Sequence, residues 1–247
     1  MNIIEVKNLT KTYKTRGHET QALRGISFDV KKGEIFGLLG VNGAGKSTTL
    51  NILVGLLTPT AGSIQIFEKN FSQHESDIKA SMNIGTAYAD LASNLTVYRN
   101  LKIYGLMYNV ANREKKITGL LETFGIAHLA NKWFTDLSAG EKTRVNLCKS
   151  LINDPELLLL DEPTASLDPS IASHVRRSIL NLQKKRKMTV VFTSHNMPEV
   201  EEMCDRVALL HKGQIYMIDS PKSLITAHKA PDLEQVFIRL AKGEFEE

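Results

Sequence analysis

The sequence has little of what marks a secreted or membrane-spanning chain. Its two cysteines, Cys148 and Cys204, have no Cys or His neighbours at the spacing of a metal site. Both lie in apolar or helical-looking stretches, so we interpret them as buried, reduced thiols of a cytosolic protein. The apolar runs, such as Leu157 to Leu160, are far shorter than the roughly 18 residues that cross a bilayer. Residues 1–14 carry polar side chains where a secretory signal needs an unbroken apolar core, so we predict no targeting peptide and expect any membrane role to come through a partner.

A strong charge bias is also missing. The net charge of +4 is a mild excess spread along the chain, which argues for neither a nucleic-acid binder nor an enzyme acting on acidic substrates. The one basic cluster, Lys184 to Lys187, follows a predicted helix and precedes a strand. We interpret it as a solvated helix C-terminus, where cations suit the helix dipole, and not as a nucleic-acid contact.

The pattern of apolar residues indicates an α/β protein. Short β-rich runs at Ile3 to Val6 and Ile26 to Val30 open the chain, and Glu34 to Leu39 leads through a glycine-rich loop into a helix from Ser47 to Gly55. Helical periods without a convincing strand follow from about Thr96 to Ile152. Strands then return and alternate with helices, which indicates a largely parallel sheet covered by helices.

The glycine-rich loop carries the clearest chemistry. Residues Gly40 to Ser47 fit G-x-x-x-x-G-K-S/T, in which glycines let backbone N–H groups wrap the β-phosphate and the lysine reaches the β- and γ-phosphates. The Ser47 hydroxyl would hold Mg²⁺, and the following helix points its positive N-terminus at the phosphates. We therefore predict a site for a nucleoside triphosphate, ATP with Mg²⁺. Its contacts are expected from Gly40, Asn42, Gly43, Ala44, Gly45, Lys46, Ser47 and Thr48.

Two other classes of nucleotide-binding site fit the sequence less well. A Rossmann site needs G-x-G-x-x-G, which is absent here, and a GTPase would carry a guanine-reading aspartate after Asn131-Lys132.

We predict one P-loop NTPase domain, 1–247, with a core in 1–88 and 156–220 and a small antiparallel β part near the N-terminus. A helical subdomain is expected at about 89–155, and a short helical tail at 221–247.

Two further strand ends supply polar groups for phosphate chemistry. The apolar strand Leu157 to Leu160 ends in Asp161 and Glu162. Beside a phosphate loop, the first carboxylate suits the Mg²⁺ shell and the second suits a general base that polarises an attacking water. His195 ends another apolar strand, where it could contact the γ-phosphate or orient the water, although a lone histidine is usually structural.

Together with Leu137-Ser138-Ala139-Gly140-Glu141, these residues resemble the ATPase subunit of ATP-binding cassette (ABC) transporters over nearly the whole chain. The ordered motifs are the phosphate loop, this signature, the run ending in Asp161-Glu162, Ser166-Leu167-Asp168 and Thr193-Ser194-His195. The resemblance implies a head-to-tail dimer of this subunit with an identical or closely related one. Two ATP molecules are sandwiched, each between one subunit's phosphate loop and the other's signature. It also implies a peripheral position on the cytoplasmic face of the membrane, beside a membrane-spanning permease subunit that the dimer drives.

The signature also has a purely structural interpretation. Ser138-Ala139-Gly140-Glu141 is an S-x-x-E capping box that would open a helix through Ser150. The same hydroxyl, exposed N–H groups and positive helix end suit a phosphate from another subunit. Ala139 and Glu141 replace the family's commonest Gly and Gln, and we take neither change as a sign of inactivity.

The resemblance assigns further roles and also reveals departures. Tyr13 matches the aromatic residue that stacks on adenine, and Asp168 matches the aspartate that crosses the dimer interface. Where the family usually has a glutamine that touches Mg²⁺, this chain has Ala89, and the adjacent Asp90 could supply oxygen to the metal instead. Arg99 stands where a glutamate is common, in the region that contacts the membrane subunit.

The predicted function is ATP hydrolysis that energises a separate membrane protein, of an exporter type because the C-terminal tail is short. The alternative is a soluble ABC ATPase in translation or DNA maintenance, but the chain shows one phosphate loop and no extended heptads. A non-hydrolysing nucleotide sensor is a third possibility, against which Glu162 and His195 argue. We expect no nucleic-acid partner.

Overall fold

The computed structural model describes residues 1–15, 17–86 and 91–242, and these form strands and helices in alternation. The strands are β1 (Asn2–Thr15), β2 (His18–Lys31), β3 (Ile35–Leu39), β4 (Ala61–Ile66), β5 (Lys69–Asn70), β6 (Met82–Thr86), β7 (Leu157–Asp161), β8 (Thr189–Ser194), β9 (Arg206–His211) and β10 (Gln214–Asp219). The helices are α1 (Lys46–Leu53), α2 (Glu75–Ala80), α3 (Val97–Met107), α4 (Arg113–Thr123), α5 (Ala139–Ser150), α6 (Pro169–Arg186), α7 (Met197–Met203), α8 (Pro221–Ala227) and α9 (Leu233–Ala241). The predicted α/β class is confirmed.

The chain divides into two compact units. The first contains residues 1–78 together with the chain from residue 189 onward, and the second contains residues 79–188. The run of helices α3 to α5 between β6 and β7 is the helical insertion that the sequence predicts. Its expected boundaries at about 89–155 stay a prediction.

The first unit contains an antiparallel sheet and a buried parallel group of strands. β1 pairs antiparallel with both β2 and β4, and β4 pairs with β5. β3 lies between β8 and β9 and runs parallel to both, while β10 is antiparallel to β9. Every residue of β3 and β8 is buried, as expected for central parallel strands covered on both faces. The carboxyl ends of β3 and β8 meet in register, with Leu39 opposite Ser194.

The second unit is built on a pair of parallel strands, β6 and β7, with Thr86 opposite Asp161 at their carboxyl ends. Helix α5 packs closely on β6: a methyl group on Gly85 would lie 2.9 Å from Leu160 Cδ2 and 3.1 Å from Ser150 Oγ. The four leucines of β7 are fully buried. This packing fixes the end of β7, where the acidic pair begins.

Both cysteines are buried and free, as predicted, and burial raises the pKa of each thiol well above its ordinary value. Within residues 1–15, 17–86 and 91–242, no helix has the length and apolar character needed to span a bilayer.

Candidate functional site

The phosphate loop of the first unit is folded tightly at the end of β3. A methyl group on Gly40 would lie 2.4 Å from the Leu210 carbonyl oxygen and 2.7 Å from Ala44 Cβ. Gly45 has φ of +113°, which L side chains rarely adopt, and its Cβ position is 2.9 Å from the Ala22 carbonyl oxygen. The two glycines therefore allow the backbone itself to form the loop, so that backbone groups can face a ligand.

Lys46 begins α1 and points its ammonium into the loop. The side chain is only 6% exposed, and Nζ donates hydrogen bonds to the carbonyl oxygens of Gly40 (2.6 Å) and Val41 (3.3 Å). Ser47, the next residue, is exposed in the first turn of the helix. A buried cation, a helix N-terminus and an exposed hydroxyl thus converge at one place, a combination suited to a polyphosphate and its metal.

Tyr13 stands beside this loop. Its hydroxyl lies 3.5 Å from Thr48 Oγ1, and its ring is 37% exposed with Lys11 Nζ 5.3 Å from the centroid. The structure therefore brings the predicted adenine-stacking residue to the start of α1. An exposed ring face at this position can accept a flat heterocycle.

His195 follows β8 at the edge where Gly40 follows β3, and its side chain is exposed. The preceding residue, Ser194, is buried and makes two hydrogen bonds. Its Oγ donates to Glu199 Oε2 at 2.9 Å and accepts from the Asn196 N–H at 3.0 Å. Asn196 also caps α7 by accepting from the Glu199 N–H. Our sequence analysis missed this arrangement, although Asn196-x-x-Glu199 is a visible capping pattern.

In the second unit, the acidic pair lies where β7 ends. Asp161 is the last residue of the strand and is partly exposed. Glu162 adopts a left-handed backbone with φ of +48°, a conformation that costs a non-glycine residue about 1 kcal/mol. Strained residues of this kind are concentrated at functional sites.

The signature segment forms the predicted capping box at the start of α5. Ser138 Oγ accepts from the Glu141 N–H at 3.3 Å, and Glu141 Oε2 accepts from the Ser138 N–H at 2.7 Å. The bond from the Ser138 backbone lowers the pKa of the Glu141 carboxyl, and Lys132 Nζ lies 3.6 Å from Oε2. Ala139 and Gly140, which lie at the N-terminal end of this helix, add little side-chain bulk.

The signature helix contacts the segment that leads to Asp168. Thr143 and Ser166 share a hydroxyl–hydroxyl hydrogen bond of 2.8 Å, and a methyl group on Gly140 would lie 3.2 Å from Leu167 Cδ2. Asp168 itself caps α6 by accepting from the Ile171 N–H at 3.0 Å. The structure thus brings the signature and the Asp168 segment together. The predicted metal ligand Asp90 and its neighbour Ala89 lie outside the described residues.

Comparison with known proteins identifies the family. The family model described as ABC transporter matches residues 23–165, and one described as "AAA domain, putative AbiEii toxin, Type IV TA system" matches residues 133–201. The bacitracin transport ATP-binding protein BcrA of Bacillus licheniformis is 36% identical over 86% of this chain and 68% of its own length.

Other relatives are named for both directions of transport. A fluoroquinolones export ATP-binding protein of Mycobacterium tuberculosis is 38% identical over 90% of this chain and 72% of its own length. The methionine import ATP-binding protein MetN 1 of Acinetobacter baylyi is 34% identical, over 86% and 61%. Among solved structures, the dimeric ATP-binding cassette MJ0796 bound to ADP and Pi matches with a TM-score of 0.80 and 27% identity, over 88% of this chain and 98% of that one.

Proposed function

This chain belongs to the ABC transporter family, whose ATP-binding domain hydrolyses ATP, and from this premise we propose that it hydrolyses ATP to drive a separate membrane-spanning subunit. The observation that carries the proposal is the loop at Gly40 to Ser47, where glycines let the backbone fold tightly around a buried lysine ammonium.

Within the first unit, the loop and Lys46 bind the phosphates and Tyr13 stacks on the adenine. Ser47 is a proposed Mg²⁺ ligand, and Asp161 of the second unit is another, because hydroxyl and carboxylate oxygens are the hard ligands that this ion prefers. Asp90 is a further proposed ligand. When bound, Mg²⁺ neutralises charge on the phosphate oxygens.

Glu162 is the proposed general base and His195 the residue that contacts the γ-phosphate or orients the water. Glu162 follows the metal-binding aspartate directly, and its left-handed backbone turns the chain at the end of β7. A carboxylate such as that of Glu162 can accept a proton from a water, and an imidazole such as that of His195 can orient one. The Ser194–Glu199 hydrogen bond fixes the residue that precedes His195.

The ATP site is completed by a second subunit, either an identical chain or a close relative. We assign Ser138 to Glu141 to the phosphate of the partner's ATP and Asp168 to the dimer interface. The capping box supports this role because its side chains bind two N–H groups, those of Ser138 and Glu141, and the residues between them, Ala139 and Gly140, are small. A solved relative of the same fold is dimeric and holds ADP and Pi.

We further propose that the chain lies at the cytoplasmic face of the membrane and serves an export system. The name of one relative supports export, although another is named for import. Arg99, exposed on α3, is proposed to face an acidic group of the membrane subunit. If Arg99→Glu left assembly and partner-stimulated ATPase rates unchanged, this contact would be wrong. The Ala89→Gln variant tests the second departure from the family pattern, the alanine in place of the usual glutamine. An unchanged Mg²⁺-dependent turnover would mean that residue 89 does not limit the rate.

The test of function is the steady-state release of phosphate from MgATP by the purified chain. We expect turnover that Lys46→Ala abolishes together with ATP binding, and that Glu162→Gln abolishes while ATP binding stays. Binding without turnover in the wild type would instead support a nucleotide sensor. Co-purification from detergent extracts should yield a multi-span subunit, and ribosome or DNA association would overturn the transporter assignment.

A further inference from the structure

Two of the most exposed apolar side chains lie together at the C-terminal end of α3. Leu106 is 50% exposed and Met107 is 70% exposed. Lys102 lies one turn before Leu106 on the same face of α3 and is also exposed. Helix α4 begins close by, because the Cβ position of Gly105 is 3.4 Å from Arg113 Cβ. Apolar and cationic side chains from two helices therefore share one surface.

The cations of this surface surround an open depression of about 530 Å³. Lys102, Arg113 and Lys115 line it together with Asn112 and one acidic residue, Glu114. Among the described residues, none of the three cations has an ion pair or a side-chain hydrogen bond. Three positive charges and one negative charge give the lining of the depression a net charge of +2, and its three cations repel one another.

The next cation on α4 shows the opposite arrangement. Lys116 turns inward and forms an ion pair with Asp154, which also binds Arg186. Burial lowers the pKa of Lys116, and the hydrogen bond to Asp154 opposes that effect. The fold thus satisfies its inward cation with a carboxylate, whereas the outward cations are left for an anionic partner.

We propose that Lys102, Leu106, Met107, Arg113 and Lys115, the α3–α4 surface, bind the anionic phospholipid headgroups of the bilayer beside the membrane subunit. The protruding Leu106 and Met107 enter the headgroup layer, and the three cations contact lipid phosphates. Apolar side chains flanked by lysine and arginine are the usual composition of protein segments that lie in this interface. The inference rests on the proposed function only for placing the chain at a membrane.

A protein partner fits this surface less well than lipid does. Protein interfaces depend on anchors buried in well-packed pockets, whereas here the apolar side chains protrude and the depression is lined by polar residues. Arg99 lies eight residues before Met107, about 12 Å away along the helix. One end of α3 can therefore contact the membrane subunit while the other contacts the adjacent lipid.

Vesicle flotation of the purified chain tests the charge contribution. We expect binding to vesicles that contain phosphatidylglycerol, weak binding to pure phosphatidylcholine, and release by salt. Each cation strengthens binding about five-fold, so the combined Lys102→Gln, Arg113→Gln and Lys115→Gln changes should weaken it roughly a hundred-fold. The basic cluster Lys184 to Lys187 lies in the last turn and C-cap of α6, and not after the helix as the sequence suggested. The matched control removes the same charge from this cluster by Lys184→Gln, Lys185→Gln and Lys187→Gln, and this variant should bind the vesicles much more strongly than the test variant.

A second pair of variants, one test and one control, measures the apolar contribution to vesicle binding. Met107→Ser should weaken vesicle binding roughly ten-fold, whereas Leu56→Ser, at a side chain 68% exposed elsewhere, should change it little. Equal losses in the test and control variants would overturn the proposal. The proposal would also be overturned if the variants of the α3–α4 surface bound vesicles normally but no longer co-purified with the membrane subunit. That result would make the surface a protein interface. ATP binding measured without vesicles should be unchanged, so failure of the proposed function is seen separately.

Discussion

Replacing Gly40 with alanine tests whether the phosphate loop depends on the close backbone packing described above. The new methyl group would lie 2.4 Å from the Leu210 carbonyl oxygen and 2.7 Å from Ala44 Cβ. Leu210 is itself buried in β9, so its backbone cannot move aside without disturbing the sheet. Overpacking of a well-packed core costs typically 1–3 kcal/mol, and a clash with backbone places Gly40→Ala at about 3 kcal/mol.

Thermal unfolding measures this cost directly. For a chain of this size, about 3 kcal/mol lowers Tm by roughly 6–12 °C. Two glycines with no atom within 4 Å of an added Cβ provide controls. Gly43→Ala, with φ of +81°, should cost about 1 kcal/mol through backbone strain alone, and Gly119→Ala in α4 should raise stability by about 0.5–1 kcal/mol. If Gly40→Ala proved as stable as Gly43→Ala, the close-packed loop would be wrong.

Three further predictions concern single contacts. Tyr13→Ala should weaken ATP binding about ten-fold in a calorimetric titration, because a stacked base is worth about 1–3 kcal/mol, and Tyr13→Phe should keep most of the affinity. The lowered pKa of Glu141 contributes stability above the pKa of the unfolded chain, and that stability is lost as the pH falls through the lower folded value. Glu141→Gln should therefore remove this acid-dependent part of an unfolding curve, and an unchanged pH dependence would contradict the capping box. Ser194→Ala should lower kcat with little change in KM, since it removes the two hydrogen bonds that fix the backbone on either side of His195. Glu199→Gln, which can still accept the hydrogen bond from Ser194, should lower kcat less.

The elements with strong local signals were predicted from the sequence alone. The run of four leucines before Asp161 indicates a buried strand, and Ser138-x-x-Glu141 indicates a helix start that both hydrogen bonds confirm. The hydrophobic pattern and the capping residues are local properties, so they can be recognised from the sequence alone. The helix ends were less accurate: the helix expected from Ser47 to Gly55 is α1, which ends at Leu53, since apolar residues continue beyond the last helical turn.

Elements that depend on distant partners were missed. The β6 strand has the sequence MNIGT, which carries little strand signal, and it is defined by pairing with β7 more than 70 residues later. The first two strands are each 14 residues long because they pair with each other across several register shifts, although only short β-rich runs were expected. Likewise, the role of Ser194 depends on Glu199, and a hydroxyl–carboxylate bond has no pattern of its own in the sequence.

The composite ATP site is the central claim, and mixing two inactive variants tests it most directly. Lys46→Ala removes the phosphate-binding lysine, and Ser138→Asp keeps the helix cap while placing a negative charge against the partner's phosphate. In a symmetric dimer of this chain, a mixed pair has one site with both halves intact. We predict that each variant alone releases no phosphate, and that an equal mixture recovers roughly a quarter of the wild-type ATPase rate because half of the dimers are mixed. A mixture as inactive as its two components would contradict the account.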